Sequence, residues 1–377
     1  MTGGILLTRC YRDLRSLPRL SAGEWDLLIR QGRRAGLLGR LHGLCDAAGL
    51  LQELPPRPRT HLTAARVEAD RVAGAACWEM GQIAEALAPL AVPLIALKGS
   101  AYALRGLTAS LGRAFSDLDI LVPRPALEAV EKRLRGRGWI TTHLDTYDQR
   151  YYRQWMHELP PMQHMTRKTN LDVHHGLLPD TVRRRPDPRL LLADAVPVPA
   201  LDGVYTLSPV DTWLHSATHL FQEGEFRNAL RDLTDLDLLA REFDQHPGFW
   251  EQLPTRARQL QLERQLYYGL RYCDRLLGTP IPQGLLEESR QHAPRPPLAG
   301  VMDLLFGQVF RPQHRSCRTP LTGVADTALY LRSHAIRMPA RLLLPHLAHK
   351  SLVTPFRNWQ EARRHVRPPA AGRGERA

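Results

Sequence analysis

Apolar positions along this chain change period twice, from helical spacing to strand-like alternation and back again. Over residues 1–90 the spacing is mostly helical. Ser21-Ala22-Gly23-Glu24 ahead of Trp25-Asp26-Leu27-Leu28-Ile29 has the form of a capping box before an apolar run. Pro55-Pro56-Arg57-Pro58 interrupts it, and an Ala-rich helix is predicted from about His61 to Leu90. Pro93 then opens a short apolar strand, Leu94-Ile95-Ala96-Leu97. A second strand, within Phe115 to Val122, alternates acidic and apolar positions.

The next predicted elements are a helix over Ala126–Arg135, stopped by Gly136-Arg137-Gly138, and a strand over Trp139–His143. Met162–Arg167 and Leu171–His175 read as a hairpin turning near Thr169-Asn170. Pro179–Pro199 reads as a connector lying over the site. Beyond Pro209 the helical period returns over Asp211–Gln222, Arg227–Phe243 and Trp250–Leu277. Met338–Leu352 has the pattern of a basic amphipathic helix, and Pro368–Ala377 reads as disordered. The order predicts an α+β fold: a small mixed sheet over 91–208, flanked by helical regions over 1–90 and 209–377.

Candidate chemistry concentrates in the middle segment. Asp117 and Asp119, two residues apart on a strand, project from one face with Cα atoms roughly 6–7 Å apart. Carboxylates that close repel unless a proton or cation intervenes, and a divalent metal bridging to phosphates is the sensible occupant. Lys98-Gly99-Ser100 supplies a turn into a helix. Gly99 lets backbone N–H groups approach an anion, and Ser100 adds a hydroxyl. Asp172 falls on a short alternating strand, Asn170–His175, on the same face as His174. Phosphate cradle and acidic pair together indicate metal-dependent nucleotidyl transfer.

These residues resemble the signature of the polymerase-beta-like nucleotidyltransferase superfamily. Leu97-Lys98-Gly99-Ser100-Ala101-Tyr102, with an Arg ahead of Asp117-Leu118-Asp119-Ile120-Leu121-Val122, is similar to its uncharacterised nucleotidyltransferase family of type 5. Leu171-Asp172-Val173-His174-His175 and Leu207-Ser208-Pro209 carry the likeness further, over about residues 90–240. Sixteen residues separate Ser100 from Asp117, so that stretch must fold back as a loop. The resemblance implies two Mg²⁺ ions held by Asp117, Asp119 and Asp172. It implies an NTP donor, with ATP the expected one, and release of pyrophosphate. Gly99, Ser100, Lys98 and Arg113 are then the candidates for gripping phosphates.

Competing roles stand beside these. Lys98 can equally form a structural ion pair, and Arg113 a solvated loop position. Tyr102 reads as packing, with Arg105 on the same helix. His174 and His175 face opposite sides of a strand, so they do not share one ion. His215 and His219 lie four apart on a helix but lack the intervening glutamate of a zinc protease motif, which favours core or acceptor-pocket packing. Asp232, Asp235 and Asp237 read as a solvated face or as partners of Arg227 and Arg231.

Composition narrows the classes. No apolar run approaches the ~18 residues of a membrane span, and five scattered cysteines include no C-x-x-C pair. A reducing cytoplasm is the expectation. The net charge of +13 is uneven: from Arg311 onward there are thirteen Arg and Lys against three Asp and Glu. Arg-rich composition explains this blandly. The alternative is a catalytically silent nucleotide-binding protein whose basic C-terminal region docks a polyanion or membrane surface. The acceptor, whether small molecule, protein or RNA, is not encoded in any motif.

Overall fold

The computed structural model of the chain describes residues 5–142, 145–222, 224–339 and 341–343. Seven strands form one mixed sheet: β1 (Leu94–Leu97), β2 (Asp117–Leu121), β3 (Trp139–Thr141), β4 (Met162–His164), β5 (Asn170–His174), β6 (Val196–Pro197) and β7 (Val204–Thr206), ordered β3-β4-β5-β2-β1-β7-β6. Helices precede and follow it, so the α+β class with helical flanks is what the chain adopts. All four β1 residues are buried, which is why that strand reads as continuously apolar.

Local signals act as their chemistry dictates. Ser21 Oγ accepts from the Glu24 N–H while Glu24 Oε2 accepts from the Ser21 N–H, and left-handed Gly36 ends that helix. Pro56 starts a helix running to Leu87, roughly 48 Å long at the standard rise. Buried Glu79 on that helix receives the Arg167 guanidinium at 2.8–2.9 Å, clamping the β4–β5 turn onto it. Ser208 Oγ accepts from the Asp211 N–H and sets the start of the Pro209–Gln222 helix.

Three elements depart from the sequence reading. Tyr- and Arg-rich Thr146–Trp155 is a helix with no buried residue, so it shows no apolar stripe. The Pro179–Pro199 connector contains the Pro188–Ala193 helix and β6, and thus widens the sheet. Trp250–Leu277 is two helices, Phe249–Gln259 and Glu263–Tyr272, the second ending in a wide turn over Cys273–Leu277. Left-handed Gln261 makes the break between them. Most of the expected basic helix Met338–Leu352, and the tail Pro368–Ala377, lie outside the described residues.

One apolar cluster runs from the sheet into the helices after Pro209; a smaller one joins the N-terminal helices and includes Leu230. Where the two meet, Gly112 (φ +58°) presses its backbone on Gly39, and a Cβ there would lie 2.0 Å from the Gly39 carbonyl carbon. Only glycine fits. Beside this contact the wholly buried Arg40 pairs with Asp235 at 2.6 Å, and Arg113 pairs with Asp235 at 2.8 Å. Asp237 accepts from Tyr11, Thr279 and Arg241. Asp232 is bound by Arg231, as expected, but Asp235 and Asp237 are core acceptors rather than a solvated face. Their partners lie on distant segments, beyond the reach of helix periodicity.

No described helix is long and apolar enough to cross a membrane.

Candidate active site

The register of three strands builds the site. β1 runs antiparallel to β2 with Leu97 opposite Asp119; β5 runs parallel to β2 with Asp172 opposite Asp119 and Asn170 opposite Asp117. Asp117, Asp119, Asp172 and His174 therefore share one face. A bridge between Glu158 and His174 adds a further carboxylate to it, fixed by the Leu159 N–H to Val173 O and His175 N–H to His157 O bonds.

Lys98 follows β1 in a left-handed conformation, φ +49°, unusual for a residue with a Cβ. Its ammonium reaches Asp119 Oδ1 at 2.9 Å. His174 Nε2 meets the same oxygen at 3.0 Å, and its Nδ1 faces Glu158 Oε2 at 3.3 Å. Asp119 is 3% exposed. Burial disfavours its charge, yet Lys98 and His174 outweigh burial and hold its carboxyl well below the usual range. Burial also pulls on His174, but the bond to Asp119 and the charges of Glu158 and Asp119 raise its pKa.

Asp172 is the opposite case. Burial first, then the charges of Asp119 and Glu158, push its carboxyl up to about 7. In the unfolded chain the group titrates near its ordinary value of about 3.9. Between those values the folded chain holds a proton that the unfolded chain releases, so stability from this group is present at low pH and lost as pH rises through 7. Asp172→Asn should therefore raise the stability of the protein in chelator at pH 8 by on the order of 3 kcal/mol, and change little near pH 4. Melting temperatures at the two pH values check this; an equal effect at both would contradict it.

The remaining sequence candidates divide. Ser100 is 2% exposed and donates its hydroxyl to Leu97 O at 2.8 Å, so the donor is turned into its own helix. Gly99 is needed for packing: a Cβ would lie 2.4 Å from Arg113 Nη1 and 3.0 Å from Phe115. Arg113 is not a loop arginine over the pocket. It is buried, 6% exposed, against Asp235 and Asp232, with Tyr102 and Phe115 rings beside it. Tyr102 packs, as its position on the short helix indicated.

A narrow cleft opens on the shared face, lined by Lys98 and His174 and, from the helical region, by His215, His219, Gln222 and Arg337. Burial, then the Lys98 charge, lowers His215 to about 3, so it is neutral at working pH. Glu158 and Arg337 were not legible in the sequence. Nothing local pairs residues 157–159 with 173–175, and Arg337 enters from a helix more than 200 positions after Asp119.

The hard oxygen donors of Asp117, Asp119 and Asp172 suit Mg²⁺, and the proton retained near pH 7 by Asp172 marks a carboxylate group short of positive charge. The Lys98 ammonium occupies one cationic position beside Asp119. Within the described residues, the group whose ligand atoms all lie within 4.8 Å of one another is His157, Glu158 and His174, not the aspartates. Asp119 is drawn instead toward Lys98 and His174.

A mixed sheet with an acidic-x-acidic strand beside a third carboxylate strand is the nucleotidyltransferase arrangement that the sequence motifs implied. The family model described as uncharacterised nucleotidyltransferase matches residues 21–278, and the chain belongs to that family. No curated protein and no solved structure matches the chain.

Proposed function

We propose that the protein is a Mg²⁺-dependent transferase that moves a nucleoside monophosphate from an NTP, ATP being the expected donor, to an acceptor hydroxyl or phosphate. The observation that carries the reading is the β2–β5 register, which sets Asp119 level with Asp172 on a face reached by Lys98. Asp117 and Asp119 would hold the metals, with Asp172 the third carboxylate. Bound there, magnesium neutralises phosphate charge and lowers the barrier to in-line displacement.

The chain's own residues do the rest. Lys98 and Arg337 bring positive charge to the cleft, where they would meet the phosphates. The acceptor oxygen forms its bond to the α-phosphorus as the bond to the bridging oxygen breaks, and pyrophosphate leaves. Asp172, kept as the carboxylate by the neighbouring positive charge, would take the acceptor proton. His174 keeps Asp119 oriented through the Nε2 contact. Arg113 has no part in this scheme, because its guanidinium is committed to Asp235.

Purified protein incubated with each α-labelled NTP, Mg²⁺ and a cell lysate should pass label to an acceptor and release unlabelled pyrophosphate. Labelling that persists undiminished in excess chelator would refute the metal-dependent scheme.

A further inference from the structure

A second, wider cleft of ≈ 580 Å³ adjoins the catalytic one, and Gln222 lines both. Five chain segments converge on it: the loop at Arg183 and Arg184, the end of the Pro209–Gln222 helix, the start of the Glu263–Tyr272 helix, the turn at Gln291, and the last described helix through Arg332. The size is that of a site for a small organic molecule.

Two features of its lining are unusual. Gln222 and Gln265 are each 7% exposed, and both have an amide oxygen buried without a hydrogen-bond partner. Buried polar atoms are almost always paired, so unpaired ones at a cleft mark where a ligand or ordered water completes the set. Charge is the second feature. Arg183, Arg184, Arg264 and Arg332 line the cleft, and among the described lining residues Glu263 is the single carboxylate.

Arg332 is the most constrained of them. It donates to Phe221 O at 2.9 Å and lies over the Tyr268 and Phe306 rings. Burial lowers its pKa, and among the described residues none of the leading influences on it is a carboxylate. A guanidinium held on aromatic faces without a counter-ion is prepared for an anion. The Glu263–Tyr272 helix also starts here with no side-chain cap, so its first N–H groups add to the same field.

We infer that this cleft binds the acceptor, and that the acceptor is a phosphate-bearing polyol: a phosphate for the arginines, and hydroxyl donors for Gln222 and Gln265. The inference rests on the nucleotidyltransferase reading for the word acceptor, but the binding site itself does not. The cleft meets the narrow one at Gln222, so a hydroxyl of the bound molecule can be directed toward the face lined by Lys98 and His174 while its phosphate stays with the arginines.

The same chemistry has a second source, the phosphates of the NTP, and the test separates the two. Binding of glucose 6-phosphate, ribose 5-phosphate and glycerol 3-phosphate to the full chain is measured calorimetrically without magnesium, at constant ionic strength set with chloride. At least one should bind, with glucose and glycerol binding far more weakly. The double variant Arg184→Gln/Arg264→Gln, at exposed positions, should weaken that binding about tenfold and leave Mg-ATP binding unchanged. Arg332→Gln should do the same.

Failure of all three sugar phosphates to bind, or unaltered binding by both variants, overturns the site. A parallel loss of Mg-ATP affinity assigns the arginines to the nucleotide and overturns the acceptor role. Failure of the catalytic reading would show differently: sugar phosphate retained, but no label transferred from any NTP.

Discussion

Asp119→Asn is expected to lower nucleotidyl transfer by at least on the order of 10³, about 4 kcal/mol of transition-state stabilisation. The amide keeps the shape of the carboxylate and an oxygen for Lys98 and His174, so the fold should persist. What it removes is the charge that would hold magnesium and that now lowers the energy of the half-buried Lys98 ammonium and raises the His174 pKa. Stability should fall by about 1–3 kcal/mol, the usual cost when a buried charged hydrogen bond loses its charge. Asp172→Asn should be as inactive yet more stable at pH 8. Neighbours in register thus respond with opposite sign, because cations outweigh burial at Asp119, whereas at Asp172 burial and the charges of Asp119 and Glu158 outweigh His174. Steady-state rates with a chelator control, paired with melting curves, test both halves. Retention of more than about a tenth of the activity by Asp119→Asn would remove it from the metal-binding role.

The largest stability loss is expected at Asp235→Ala. Its carboxylate is 1% exposed between Arg40 and Arg113, themselves buried. Truncation leaves the Arg40 guanidinium in a low-dielectric interior without its anion and Arg113 with only the longer Asp232 contact, a change that costs about 3–5 kcal/mol. That is a large share of the ~5–15 kcal/mol by which folded chains are stable. Asp235→Asn should cost less, because it still accepts hydrogen bonds, and it serves if the alanine variant fails to fold. Burial raises the Asp235 pKa, but Arg113 and Arg40 outweigh burial and depress it. Its contribution is therefore present above pH about 4 and lost as pH falls toward the depressed folded value. Urea midpoints of the asparagine variant, at pH 7 and near pH 3, measure this. A midpoint matching the unaltered protein at pH 7 would show that the ion pairs carry no net stability.

The parts of this molecule legible in its sequence are those whose physics is local. β1 and β2 announce themselves through an apolar run and an alternating acidic strand, and the Ser21 cap through a four-residue pattern. The sharing of a face by Asp119, Asp172 and His174 follows from period-two geometry once the strands pair. Illegible parts are of two kinds. Strands β6 and β7, of two and three residues, are too short to show any period. Arg113 and Asp235 meet across 122 positions, and no pattern along the chain marks an ion pair that long in reach. The motif reading therefore set Arg113 over a phosphate when tertiary packing had already committed it. The same reasoning accounts for Glu158, which reaches the catalytic face through a bridge outside the named strands.

Arg40, Arg113 and Asp235 come from the three successive stretches of the chain, and all three lie within the span matched by the family model. Cutting out residues 91–208 alone would strip Arg113 of its anion, and deleting the first ninety would leave Asp235 with half its cations. These ion pairs accordingly tie the strands and both helical flanks into one electrostatic unit. A catalytic fragment trimmed to its motifs would carry an unbalanced charge into its own interior.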